Sequence, residues 1–273
     1  GGAITVASAT ARINADAGSL TVSGGVAVAG NALSIGGAAN TTITGQLTGT
    51  SAGSITKDGA STLTLSNSTN TFAGDLGITQ GTVALGANNS LNSSSIDVNI
   101  ASGAELDLVT YAASIGTLAG LGNVEFGGSG QLTLLANTTF GGTFSGTGTL
   151  VVGSGVSLTL GADFNAPGIT IVLAGGTLNV NGTNSVFAGL SLTGNSAIDF
   201  DSVDDSMIQF TNLSLGTYSL AVSGWTDEQD FFRVTNDPGN KATPPLNQVT
   251  FAPSGPHVGD DTIWTGDYVD YTY

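Results

Sequence analysis

The sequence predicts an all-β fold, a β-solenoid of short stacked strands, and three observations carry that expectation. Residues 53 to 86 read GSITKDGASTLTLSNSTNTFAGDLGITQGTVALG. There Leu63 and Leu65, Ile78, and Val83 and Leu85 alternate with Thr, Ala or Gly, the period-2 mark of a strand with one apolar face. Ser- and Asn-rich stretches at 66–70 and 87–92 supply the corners. Composition agrees: 42 glycines and only 9% charged residues leave a surface built of Ser, Thr, Asn and backbone, where an average domain is about a quarter charged. One such unit cannot bury its apolar face alone, whereas stacked copies can.

Taken in order, the strands are ITV at 4–6, LTV at 20–22, VAV at 26–28, LSI at 33–35 and TIT at 42–44. Then come LTL at 63–65, ITQGTVAL at 78–85, IDVNI at 96–100, LDL at 106–108, VEF at 124–126 and LTL at 132–134. TLVV at 149–152, SLTL at 157–160, ITIVL at 169–173, TLNV at 177–180 and LSL at 190–192 complete the series. Each is short, and most carry Val, Ile or Thr. Gly pairs such as Gly36-Gly37 and Gly127-Gly128 separate them, and no proline precedes Pro167, as laddered strands require. Residues 112–121 have some helical propensity, but their glycines and shortness favour a loop or a strand pair. A strand about every ten residues gives on the order of ten rungs, a stack of about 50 Å. Even strand spacing also suits β-sandwich modules, the competing architecture.

The solenoid is expected over residues 1–194 and a C-terminal β-rich cap or second module over 195–273. Both tryptophans, four of five tyrosines, five of six prolines and 12 of 20 acidic residues lie from Asp199 onward. A terminal rung needs cover for its apolar side chains and strand edges.

The net charge is −16, and the four basic residues Arg12, Lys57, Arg233 and Lys241 are scattered. Phosphate contacts need clustered cations, so nucleic acid and anionic membranes are poor partners. There is no cysteine, hence no disulfide or thiolate site. No apolar run is long enough to insert in a membrane, and the start GGAITV has no leader character. The expected location is extracellular or on a bacterial cell surface, after removal of a signal peptide.

The stretch 53–86 resembles the autotransporter-associated β-strand repeat. The matching residues are Thr56-Lys57, Gly59, Thr62-Leu63-Thr64-Leu65, Asn70-Thr71-Phe72, Gly74 and Gly81-Thr82-Val83-Ala84-Leu85-Gly86, with a degenerate echo at Gly130, Asn137 and Phe140-Gly141 and another at Gly176-Thr177-Leu178. The resemblance implies an exported, right-handed parallel β-helix with an adhesive or structural role and no shared active site. Outer-membrane barrel strands are not seen.

Candidate chemistry is sparse. Asp199, Asp201, Asp204 and Asp205 place four carboxylates within seven residues, a possible Ca²⁺ ligand set, with Asp260-Asp261 a lesser one. Asp199 and Asp201, two apart, would share a strand face at about 6.6 Å, near an inverting glycosidase spacing. A solvated acidic corner is the preferred reading, since no orienting Arg or aromatic platform is adjacent. His257 is the single histidine, which rules out a multi-histidine zinc site within one chain. Gly-x-Gly strings at 128–130 and 146–148 precede strands, so they read as turns and not as phosphate loops. Lys57 and Asp58 suggest a local ion pair at a corner. Trp225, Trp264 and the tail Tyr268, Val269, Tyr271 and Tyr273 offer either a cap or a terminal strand that adds to a neighbouring copy.

The function expected is a non-enzymatic structural surface protein, with no catalytic residues and no cofactor beyond the candidate Ca²⁺. It would be the subunit of an extracellular filament, sheath or matrix, with copies of itself as partners. The alternatives are an adhesin or glycan-binding passenger and, third, a polysaccharide-active enzyme.

Overall fold

The computed structural model describes residues 2–8, 11–201, 203, 205–224, 230–236, 245–251, 263–265 and 268–270, the last two stretches as backbone. The chain is an all-β solenoid of about 11 turns, in two compact units, Gly1–Ala136 with Gly142–Gly148 and Asn137–Gly141 with Thr149–Tyr273.

In the first unit, each turn feeds up to three parallel sheets. One holds Ile4–Thr5, Val26–Ala29, Leu47–Gly49 and Thr71–Phe72. A second holds Ala11–Asn14, Ala32–Gly36, Ser54–Lys57, Asp75–Ile78, Val98–Ile100 and Leu118–Gly120. The third runs from Leu20–Val22 through Thr41–Ile43, Thr62–Leu65, Thr82–Leu85 and Glu105–Asp107 to Asn123–Leu134. In the second sheet each residue pairs with one 20–22 positions further on, so Leu33, Ile55, Leu76, Val98 and Leu118 form one inward column. All five are buried, each contributing about 1.5–3 kcal/mol of apolar burial. Residues 112–121 form the strands Ala112–Ile115 and Leu118–Gly120, as their glycines suggested.

Not every strand is short. Asn123–Leu134 pairs with Glu105–Asp107 through its first half and with Ala112–Ile115 through its second. The expected runs VEF and LTL are therefore two limbs of one bent strand. Gly128, at φ +67, lets the backbone turn between them where a side chain would be strained. The Gly-x-Gly string at 128–130 is thus a bend, as anticipated.

In the second unit a six-stranded parallel sheet runs Thr138–Phe140, Ser157–Leu160, Thr177–Asn179, Ser196–Asp199, Leu220–Ser223 and Val249–Phe251. Beside it lie the long parallel strands Asn165–Ala174, Asn184–Gly194 and Met207–Ser214, then Phe231–Val234. Pro167 sits where the register shifts between Ala166 and Thr170, a bulge that needs no N–H donor. The parallel ladders do not stop at 194/195 but continue to Val249–Phe251. Aromatic residues of this stretch enter the core: Phe200, Phe210 and Phe232 are fully buried. Phe140, Phe164, Phe187 and Phe210 stack in sequence at 6.1–6.2 Å between centroids, and Phe232 meets Phe210 edge-on at 6.0 Å.

Asn and Asp side chains tie successive turns together. The side-chain oxygen of Asn40 accepts the N–H of Thr62, that of Asn88 the N–H of Ala112, and that of Asn137 the N–H of Ser157. Asp97, Asp163 and Asn195 do the same for Thr117, Asn184 and Ser219. Each accepted N–H lies at or beside the start of a strand, where the ladder leaves a donor to be satisfied.

Candidate functional site

Of the acidic corner, Asp199, Asp201 and Asp205 are described. Asp199 ends its strand and accepts the N–H of Asp201 at 3.1 Å. Asp201 has φ +61 and Asp205 φ +66, so both lie in turns and Asp199 and Asp201 do not share a strand face. No three His, Cys, Asp or Glu residues converge to hold a metal among the described residues. Asp204, Trp225, Lys241, His257, Asp260, Asp261, Tyr271 and Tyr273 lie outside them. Tyr268 and Val269 belong to the strand Tyr268–Asp270, which pairs antiparallel within the chain to Phe231–Val234 and to Ile263–Thr265.

The ion pair expected between Lys57 and Asp58 is replaced by two separate arrangements. Lys57 alternates inward with Ile55 and takes the place of an isoleucine in the column Ile13, Ile35, Lys57, Ile78, Ile100. It is 1% exposed. Its ammonium donates to the carbonyls of Asp58 at 2.9 Å, Gly59 at 2.7 Å and Gln80 at 3.2 Å, so all three of its donors are used. Burial lowers its pKa, offset in part by the charge of Asp58. Asp58 faces out and grips Arg12 bidentately, at 2.6 and 2.8 Å. That contact crosses the intervening strand at Gly36, where a Cβ would strike the Asp58 carboxylate and lie 2.9 Å from Arg12 Nη2. The guanidinium hydrogen bond holds the Asp58 carboxyl below its ordinary value.

An outward strip on the second unit brings together residues that the sequence leaves apart. Across the strands Asn184–Gly194, Met207–Ser214 and Phe231–Val234, Asn184, Met207 and Phe231 form one column and Val186, Gln209 and Arg233 the next. The Arg233 guanidinium lies 4.6 Å over the Phe231 ring, and its Nη1 reaches the Met207 sulfur at 3.4 Å. Among the described residues, the ion pair found is Arg12 with Asp58. The i, i+2 spacing of Phe231 and Arg233 was readable; Met207, 24 positions earlier than Phe231 in register, needed the rung length.

Over 131 residues, 46% of the chain, the sequence is 35% identical to the Adhesin BmaC autotransporter of Brucella suis biovar 1 (strain 1330). The match spans 4% of that relative's length. No family model matches, and no solved structure matches significantly. The similarity and the parallel coils together fit an autotransporter passenger-like β-helix.

Proposed function

We infer that this chain is part of a bacterial surface or secreted β-helix that works as an adhesin, presenting its polar flanks to a host or matrix ligand without catalysing a reaction. The observation that carries this reading is the 35% identity over 131 residues to a protein described as an adhesin autotransporter, borne on a parallel β-solenoid. The adhesive reading is preferred to the filament subunit, because the strand Tyr268–Asp270, offered for addition to a neighbouring copy, pairs within its own chain. Purified protein coated on beads, scored for adherence to host cells and matrix proteins beside uncoated beads, tests it. Adherence above background is expected; bead counts equal to the control on every surface, or long filaments in negative stain, would reject it.

A further inference from the structure

We propose that Asn40 and Asn137 are acceptor sites for an N-linked sugar. The inference stands apart from the adhesive reading, because a sugar-bearing chain need not adhere. The sequence holds seven Asn-x-Ser/Thr triplets, at Asn40, Asn67, Asn88, Asn92, Asn137, Asn181 and Asn212, the pattern an N-glycosyltransferase reads. The structure separates them by what each amide does. Asn67, Asn181 and Asn212 turn Nδ2 toward a neighbouring turn, donating to the carbonyls of Thr44 at 3.0 Å, Leu160 at 3.2 Å and Ala188 at 3.4 Å. At Asn88 the hydroxyl of the triplet is withdrawn: Ser90 is 1% exposed, and its Oγ lies 2.8 Å from the carbonyls of Leu65 and Ala87. Asn92 is exposed, but nothing among the described residues fixes its amide.

Asn40 and Asn137 are alike and differ from the rest. Each opens an Asn-Thr-Thr triplet at the entry to a strand, Thr41–Ile43 and Thr138–Phe140. The middle threonine is buried, and the third, Thr42 or Thr139, alternates outward. Both asparagines are exposed, and each gives its side-chain oxygen to an N–H of the next turn, that of Thr62 or Ser157. Only the oxygen can accept that N–H, so the bond orients the amide and leaves Nδ2 without a hydrogen bond among the described residues. The staple does not need the nitrogen, since Asp97 and Asp163 make the same bond with a carboxylate. Charge favours the reaction at Asn40: residues 1–56 contain just Arg12 and Asp16 as charged side chains, so an anionic donor meets no local excess of carboxylates. In the transfer, Nδ2 bonds to the anomeric carbon of a glycosyl diphosphate, the bond from that carbon to the diphosphate oxygen breaks, and the diphosphate leaves. Nδ2 gives up one proton to the base of the transferase. The oxygen, and with it the staple, is untouched.

The test is peptide mass spectrometry of the full chain recovered from the surface of the cells that produce it. Sugar-bearing peptides are expected at Asn40 and Asn137, with occupancy at Asn67, Asn181 and Asn212 about tenfold lower, because a donor bond must break there first. A single-hexose increment marks a nucleoside diphosphate hexose as the donor and a block of several sugars a lipid-linked one; either supports the sites. Asn40→Asp and Asn137→Asp keep the accepting oxygen and remove the nitrogen. Produced in cells that lack an N-glycosyltransferase, each variant should keep the wild-type melting curve; produced in the native cells, each should lose the sugar at its own position alone. Bare asparagine at both positions, equal occupancy at Asn67, Asn181 and Asn212, or sugar retained at the substituted position would overturn the proposal. So would a melting curve lowered by either aspartate, since the nitrogen would then be serving the fold.

Discussion

Asn70 accepts the N–H of Leu47 on its side-chain oxygen at 2.8 Å, while its amide donates to the carbonyl of Ser90 at 2.9 Å. One side chain thus joins the strand Leu47–Gly49 of one turn to a residue of the turn beyond its own. A repeat motif that spells Asn-x-Phe is, in this chain, a two-way staple between coils.

Asn70→Ala should therefore destabilise the first unit by about 1–3 kcal/mol, since it leaves a strand-starting N–H and a carbonyl unsatisfied. Asn92→Ala, at an exposed position, should change stability by less than about 0.5 kcal/mol. Urea melts of the two variants compare them directly.

Lys57→Ala should cost about 2–4 kcal/mol by opening a cavity and stranding three carbonyls. Lys57→Met keeps the stem volume and should cost less. The folded pKa of Lys57 lies below the ordinary 10.5, so between those two values the unfolded chain holds more protons and stability rises with pH. Subtracting the Lys57→Met pH profile from that of wild type should isolate this rise; a flat difference up to pH 10.5 would contradict the buried ammonium.

Asp58 is displaced in the other direction for a carboxylate's charge. Its folded pKa is depressed below 3.8, so its contribution is complete above that value and is lost as the pH falls through the folded value. Acid titration of stability should be shallower in Asp58→Asn than in wild type. Added salt should shrink the difference, because the pair is partly exposed.

Phe187 stacks between Phe164 and Phe210 at 6.1 Å on each side. Phe187→Ala should lower stability by about 3–5 kcal/mol, and Phe187→Leu by much less. Thermal unfolding followed by circular dichroism measures both.

Period and burial made the strands Thr62–Leu65 and Thr82–Leu85 legible in the sequence, because Leu63 and Val83 sit one rung apart in a column. Lys57 was misread since Asp58, its neighbour in sequence, was the obvious partner; the period-2 alternation of Ser54–Lys57 turns both Ile55 and Lys57 inward. The bend at Gly128 concealed the length of its strand, as two limbs on different faces look like two strands. Met207, Gln209 and Arg233 could not be grouped beforehand, because the residue count per turn is fixed by corner lengths that no local pattern reveals.

The reach of Asp58 across Gly36 to Arg12 has a mechanical consequence. Parallel ladders under tension peel one strand at a time, each yielding before the next is loaded. A clamp between the strands Ala11–Asn14 and Ser54–Lys57 encloses Ala32–Gly36 between its jaws, so a force on the outermost strand is shared by three. In single-molecule pulling these strands should give way as one event, with a contour-length step of three coils instead of one.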